Sequence, residues 1–323
     1  MDAGAPDVSV AVASRERPVR LRWLLNALAG QTLGRERWEV VVAYDSRGPE
    51  SEALLSEHPL AVDGTLRHLT FAPGAGASEK RNAAWRAARA PLIVFTDDDC
   101  RPPADWLERV LEAAAAHPGA IVQGSTEPDP DEVPVLRASP WPHTNRVEPP
   151  TVWAETCNIV YPRSVLERMG GFDPILTAGE DTDLALRARA EGVPLVAAPA
   201  TVTYHAVDDL WLGARLRSAA RWEDLARVLK RHPELRRSLY GHVWWKREHA
   251  TLMALALGAA LGRRHRLALG LALPWLSPAL TWRGYSGRGF VRALSELPGR
   301  AAIDLAETMV LARASIRHRT LLL

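Results

Sequence analysis

The chain has 323 residues, 47% hydrophobic and 24% charged, a balance that excludes a disordered or fibrous protein and leaves enough apolar residues for a substantial core. Two cysteines, Cys100 and Cys157, exclude a disulfide framework, and no Cys/His spacing suggests zinc, so a reducing, cytoplasmic setting is expected. The net charge of +2 hides an asymmetry: residues 1–210 carry 20 Lys/Arg against 31 Asp/Glu, while residues 211–323 carry 20 against 7.

An acidic first region is a poor binder of nucleic acid, and a basic last region suits anionic lipid, nucleic acid or the acidic region itself. Residues 1–7 lack the basic-then-apolar order of a secretory signal. Val8-Ser9-Val10-Ala11-Val12-Ala13 predicts a first strand, and Pro18 opens a helix whose Leu21, Leu24, Leu25 and Leu28 recur at helical spacing. Residues 38–43 predict a second strand ending at Tyr44-Asp45-Ser46, and residues 66–71 a third. A helix over 78–90 precedes a fourth strand over 92–95, which runs directly into Thr96-Asp97-Asp98-Asp99. Residues 105–116 are helical and 120–123 extended; the Pro-rich stretch 127–150 reads as a long loop, a feature usually functional or mobile. Strand character resumes over 153–161, and a short helix over 163–169 stops at Gly170-Gly171. A helix over 181–190 stops at Gly192, and a strand from Val193 leads to Val202-Thr203-Tyr204-His205. Apolar strands alternating with helices describe a mostly parallel sheet covered on both faces, with ligands gathering at the strands' C-terminal ends. Asp45 and the Asp97–Asp99 cluster both fall at such ends.

Three adjacent carboxylates repel one another. A solvated acidic turn tolerates this, and so does a site where a hard divalent cation bridges them to phosphate oxygens. Gly179-Glu180-Asp181-Thr182-Asp183 opens a helix, where carboxylates favour the dipole; the same position also suits a base that takes a proton from a hydroxyl. These pieces stand in order with Lys80-Arg81-Asn82 and Gly170-Gly171-Phe172-Asp173. Together they resemble the family 2 glycosyltransferases of the GT-A fold, over about residues 8–205. The resemblance implies a nucleotide-sugar donor and a divalent cation, Mg²⁺ or Mn²⁺. It assigns Asp97 and Asp99 to the metal with His205 completing the site, and Asp45, Arg81, Asp98 and Ser14 to the donor. Asp181 becomes the catalytic base and Glu180 its partner near the acceptor. Inversion at the anomeric centre follows from one base and one displacement. Tyr44 stands where the family commonly has a second acid, and Ala13 precedes Ser14 and Arg15 where an early hydroxyl or acid is common, so the donor's base stays open among uridine, guanosine and thymidine.

Two other α/β readings fit worse. A dinucleotide-dependent oxidoreductase needs G-x-G-x-x-G after the first strand, where this chain has Ser14-Arg15-Glu16-Arg17-Pro18. A nucleotidyltransferase needs a Gly-rich, Lys-containing N-terminal loop, which is absent. A non-catalytic nucleotide-sugar-binding or scaffold protein is the alternative to an enzyme.

The expected organisation is an α/β catalytic domain over 1–210 and a basic, partly apolar helical region over 211–323. Residues 210–239 predict an Arg-rich amphipathic helix interrupted at Pro233. Two apolar segments, 250–261 and 267–280, are each shorter than the roughly 20 residues of a spanning helix. Trp244, Trp245, Trp275 and Trp282 flank them among arginines, the pattern of a helix lying in the membrane interface; a helical subdomain or an oligomer contact buries the same residues. The first reading places the protein peripherally at the inner face of the membrane, near a glycan or lipid-linked acceptor.

Overall fold

The structure is a computed structural model that describes residues 4–323. The chain forms two compact units. One comprises the residues through Arg137 with His143–Asp208, the other Ala138–Pro142 with Asp209–Leu323.

The first unit is α/β. Its strands are β1 (Val8–Arg15), β2 (Trp38–Asp45), β3 (Leu66–Phe71), β4 (Leu92–Asp97), β5 (Cys100–Arg101), β6 (Ile121–Pro128), β8 (Ile159–Pro162) and β9 (Leu195–His205). The two-residue strands β7 (Pro142–His143) and β10 (Asp208–Asp209) stand outside this sheet. The eight strands run in the order β3-β2-β1-β4-β8-β6-β9-β5. β3, β2, β1 and β4 are mutually parallel, as are β6 and β9. β8 runs antiparallel to both β4 and β6 and so joins two parallel blocks.

Helices cover both faces: α1 (Pro18–Ala29), α2 (Glu50–Glu57), α3 (Pro59–Val62), α4 (Ala77–Ala87), α5 (Trp106–Ala116), α6 (Val133–Ala138), α7 (Arg163–Met169) and α8 (Glu180–Ala190). The strands' period of two divides the core. Val8, Val10, Val12, Val40 and Val42 pack on Leu21, Leu24, Leu25 and Leu28 of α1 and on Trp106, Leu107 and Val110 of α5. Ala11, Val41, Ala43, Ile93 and Phe95 face Ala84 and Trp85 of α4, with Val165, Leu166, Leu184 and Ala188 of α7 and α8.

Residues 127–150 are not one loop. β6 continues to Pro128, a 3-10 turn spans Pro130–Glu132, and α6 follows. Asp129 organises the stretch: its carboxylate accepts from Asp131 N at 2.9 Å and from Arg101 Nε at 2.8 Å, while Pro130 presets the first turn. The strand expected over 153–161 contracts to β8, with a 3-10 turn at Thr156–Asn158. The reason is the Asn158 side chain, which donates to Ser125 O and Thr201 O, both at 2.8 Å, and so pins the irregular join of β6 and β9. A Cβ on Gly124 there would come within 2.4 Å of Asn158 Nδ2, so the bulge needs glycine.

The second unit is helical: α9 (Leu212–Ser218), α10 (Leu225–Arg231), α11 (Arg247–Leu261), α12 (Leu273–Thr281) and α13 (Gly287–His318). The helix expected over 210–239 is broken into α9 and α10 by 3-10 turns at Ala219–Asp224 and Pro233–Ser238, the latter opened by its proline. The second apolar segment is likewise split, between a 3-10 turn at Arg266–Ala272 and α12. α13, 32 residues long, is capped by Ser286, whose hydroxyl accepts from Gly289 N at 3.1 Å. Among the described residues no helix is long and apolar enough to cross a membrane.

Candidate active site

Three parallel strands end side by side. Register pairs Ser14 with Tyr44, Arg15 with Asp45 and Ala13 with Asp97, so the C-terminal edge of β2-β1-β4 brings Ser14, Asp45 and Asp97 to one rim. Ser14 Oγ donates to Asp98 Oδ2 at 2.7 Å, and Arg15 N donates to the same oxygen at 3.2 Å. Asp45 is buried: Oδ1 accepts from Lys80 Nζ and Oδ2 from Gly74 N at 2.8 Å. Burial pushes its pKa up, but Lys80 and the Gly74 amide outweigh that and hold it below the ordinary carboxylate range. Tyr44 is packed away, its hydroxyl accepting from Thr70 at 3.2 Å.

The acidic triplet is divided in orientation. Asp97 accepts from Arg81 Nη2 at 3.0 Å, Asp98 faces Ser14, and Asp99 is held by Arg17, which also lies 3.7 Å from Asp98 and from Asp208. Burial, then the charge of Asp99, raises Asp98; Asp99 is raised by burial, with His205 and Arg17 opposing. These carboxylates want positive charge that the protein supplies only in part.

His205 arrives from the far end of β9. The two-residue strand β5 pairs antiparallel with it, Cys100 opposite His205, and Ala206 N donates to Asp99 O at 3.0 Å. His205 Nδ1 lies 2.8 Å from Ala206 O, which accepts from it and so orients the ring. Nε2 lies 3.1 Å from the Asn145 amide and 3.4 Å from Asp99 Oδ1. Ligand atoms of Asp97, Asp99 and His205 all lie within 4.8 Å of one another, and two carboxylates with one oriented imidazole fit a divalent cation.

Gly179, at a φ of +77°, turns the chain into α8, whose first residues are Glu180 and Asp181. Glu180 Oε1 accepts from Arg81 Nη1 at 2.7 Å, so one buried guanidinium joins the acidic triplet to the start of α8. Asp181 accepts from Thr182 N at 2.8 Å, and burial, then the adjacent charge of Glu180, raises its pKa well above the ordinary value against the pull of Arg81. The Gly170-Gly171 stop has a tertiary purpose. The Asn82 side chain donates to Phe172 O at 2.7 Å and accepts from Phe172 N at 2.9 Å, and a Cβ on Gly171, at a φ of +80°, would come within 2.2 Å of Asn82 Oδ1. The two motifs that flank Arg81 and α8 are therefore clasped together.

Of the residues singled out in the sequence, Arg81 joins Asp97 to Glu180, Ser14 meets Asp98, Asp99 lies near His205, Asp45 is held by Lys80, and Asp181 follows Glu180, its carboxylate hydrogen-bonded only to Thr182 among the described residues. Sequence reasoning overlooked two. Lys80 stood in a quoted motif without a role, its signal being its place beside Arg81 on a helix facing strand ends. Arg17, one residue before the helix-opening Pro18, carried no signal.

The profile of the family described as Glycosyl transferase family 2 matches residues 9–172, half of the chain. The chain belongs to glycosyl transferase family 2. Among curated relatives, the validoxylamine A glucosyltransferase of Streptomyces hygroscopicus subsp. jinggangensis is 27% identical over 226 residues, covering 59% of this chain and 53% of that one. Glycosyltransferase AglE of Haloferax volcanii is 24% identical, covering 64% and 68%. The chain thus spans about half the length of the first of these family members. Among solved structures, the mannosyltransferase PcManGT from Pyrobaculum calidifontis, in complex with GDP-Man and Mn²⁺, superposes with a TM-score of 0.57 at 20% identity over 98% of this chain and 88% of that one. S. aureus TarS 1–349 in complex with UDP gives 0.51 at 16% identity, over 97% and 92%. These likenesses show the fold, an α/β sheet of GT-A type followed by a helical region.

Proposed function

We propose that the chain is an inverting, divalent-cation-dependent glycosyltransferase that moves a sugar from a nucleoside-diphosphate donor to an acceptor hydroxyl. The observation that carries this reading is the Arg81 bridge. It couples Asp97 of the acidic triplet to Glu180, the residue that precedes Asp181 at the start of α8. Homologues bearing glycosyltransferase names support the transfer chemistry, and the GDP-Man, Mn²⁺ and UDP held by the structural neighbours support a nucleotide donor with a metal.

Asp97, Asp99 and His205 would hold Mg²⁺ or Mn²⁺, which when bound supplies Lewis-acid neutralisation of the diphosphate. Asp45, with Lys80 and Gly74 N on its two oxygens, keeps lone pairs for a base N–H at the floor of the donor site. Ser14 and Asp98 shape the same wall. Arg81 presents a fixed positive charge where negative charge grows on the departing diphosphate. Asp181, its proton affinity raised, takes the acceptor hydroxyl's proton as the oxygen attacks from the side opposite the leaving group, and a single displacement inverts the centre. Glu180 holds Arg81 and borders the acceptor.

A thermal-shift screen of UDP-, GDP- and dTDP-sugars with Mn²⁺ tests the reading, since a ligand of the folded state raises apparent stability by mass action. The expected result is stabilisation by one nucleotide class, abolished by EDTA, with slow donor hydrolysis. Stabilisation without hydrolysis or transfer leaves a non-catalytic binding protein; no stabilisation by any donor removes the proposal.

The acceptor is read as a glycan or lipid-linked hydroxyl, with the second unit resting on the inner face of a membrane. No acidic residue occurs between His249 and Ser295, a stretch that holds Arg263, Arg264, Arg266, Arg283, Arg288 and Arg292. Around the first three of these, Leu257, Leu261, Leu267, Leu269 and Leu273 are exposed, Leu267 to 96%. Exposed leucines interleaved with Arg263, Arg264 and Arg266 suit an anionic bilayer surface. Cosedimentation with phosphatidylglycerol vesicles is expected, weakened by salt and by Leu267→Asp. Equal recovery in the supernatant with and without vesicles would sink this attachment.

A further inference from the structure

The second unit contains a cavity of about 400 Å³, lined by the cationic Arg215, Lys246, Arg247 and Arg300 and by the carboxylates Glu248 and Asp304, with Trp141 and Trp275 among the rest. A volume of that order accommodates a small organic ligand. Part of its cationic wall is already satisfied. Lys246 Nζ lies 2.5 Å and Arg215 Nη2 3.8 Å from the buried Glu307 carboxylate, and His249 Nε2 lies 3.2 Å from it. Although burial opposes ionisation, those partners hold Glu307 down to about 2. His249, Asp304 and Glu307 are close enough to resemble a metal site, but the Lys246 ammonium neutralises it and Trp275 Nε1 donates to Asp304 at 2.9 Å.

Arg300 differs. It is half-buried, and no carboxylate of the described residues lies within ion-pair distance of it. Its Nε is buried with no hydrogen-bond partner, and its guanidinium stacks on Trp282, 3.9 Å from the ring centroid. Two carboxylates stand one helical turn away on α13, where an i,i+4 pair would normally form. Both make their close contacts elsewhere, Glu296 to Arg283 at 2.9 Å and Arg292 at 3.0 Å, Asp304 to the Trp275 indole, and act on Arg300 only at longer range. Arg247, exposed at the start of α11, makes no ion pair with any described residue. A half-buried guanidinium with no ion pair is costly: burial and the charge of Arg283 work against it, and Glu296, Asp304 and Glu248 compensate only at longer range, so a cavity that presents it can take an anion from outside. The neighbouring residue supports the wall: Gly299 lets Trp141 pack directly on α13, since a Cβ there would come within 2.3 Å of Trp141 Cζ2.

We propose that this cavity binds an organic phosphate monoester, with Arg300 and Arg247 taking the phosphate and Trp275, Pro274 and Pro278 flanking the organic body. Guanidinium forks match phosphate oxygens in pairs, and the indole and proline rings offer an apolar wall to a sugar or glycerol backbone. The site lies wholly in the second unit, needs no divalent cation and stands apart from the donor reading. Its ligand is a soluble sugar phosphate or a lipid whose head group ends in phosphate.

Calorimetric titration of the full chain in EDTA with glucose 1-phosphate, and binding to phosphatidic acid against phosphatidylcholine vesicles, separate the two sources. The expected result is saturable binding to one of these probes, none to methyl glucoside, and a loss of about tenfold or more in Arg300→Gln, the scale of a charge-assisted hydrogen bond. Arg247→Gln, a surface change that leaves packing intact, is expected to weaken the same binding, and Asp99→Asn to leave it unaltered. Glucose 1-phosphate binding identifies the soluble source, and binding to phosphatidic acid alone the lipid source. No saturable binding to either probe, or equal affinity in wild type, Arg300→Gln and Arg247→Gln, overturns the proposal.

Discussion

Asp181→Asn is expected to lower turnover by about 10²–10⁴, the usual contribution of a positioned general base, while leaving donor affinity nearly unchanged. Asparagine is isosteric and still accepts from Thr182 N, so the start of α8 should keep its shape. It cannot take a proton. Because burial and Glu180 raise the Asp181 pKa, the wild-type enzyme should also lose kcat/KM on acidification at a pH above the ordinary carboxylate range. The sign is set by the role: the deprotonated form is active, so a raised pKa moves the acid limb upward. Steady-state kinetics over pH with wild type, and single-turnover assays with the variant, check both statements. Wild-type turnover in Asp181→Asn would remove the residue from its role; an acid limb at the pKa of a free carboxylate would remove it as the titrating group.

Arg81→Met should cost the first unit about 3–5 kcal/mol, the usual penalty for removing one partner of a buried charge pair. Arg81 is buried, with Asp97 on one guanidinium nitrogen and Glu180 on another, and removing it leaves two carboxylates with no counter-charge. Urea unfolding measures the loss. The charge-neutral double variant Arg81→Met with Glu180→Gln should recover part of it, because the uncompensated carboxylate is the larger share of the penalty. Donor affinity should fall in both variants, since neither restores a positive charge near the diphosphate. Stability equal to wild type in Arg81→Met would mean that the bridge from the acidic triplet to α8 contributes nothing.

Much of this site was legible before any coordinate. Asp45 and Asp97 end buried strands, and a run of Val and Ala followed by an acid identifies both the strand and its exposed end, because burial alternation and strand length are local properties. Glu180 and Asp181 were readable as the first turn of a helix for the same reason. What escaped depended on partners distant in sequence. The strand expected over 153–161 failed because the Asn158 side chain is spent on Ser125 and Thr201, which no local pattern announces. The supposed loop after residue 127 is ordered by Arg101 on Asp129, a pair 28 positions apart.

The sequence by itself determined the alternation of strands and helices, the acids at strand ends and the charge division between residues 1–210 and 211–323, since each rests on neighbours along the chain. Only tertiary structure decided that His205 lies against Asp99, through the pairing of β5 with β9, and that Lys80 neutralises Asp45. It also decided that Arg17 covers the acidic triplet while Arg300 makes no ion pair with any described residue. Charge carries a sign along the chain but no address; which carboxylate an arginine reaches is set by the register of strands and the packing of helices that bring them within a few ångströms.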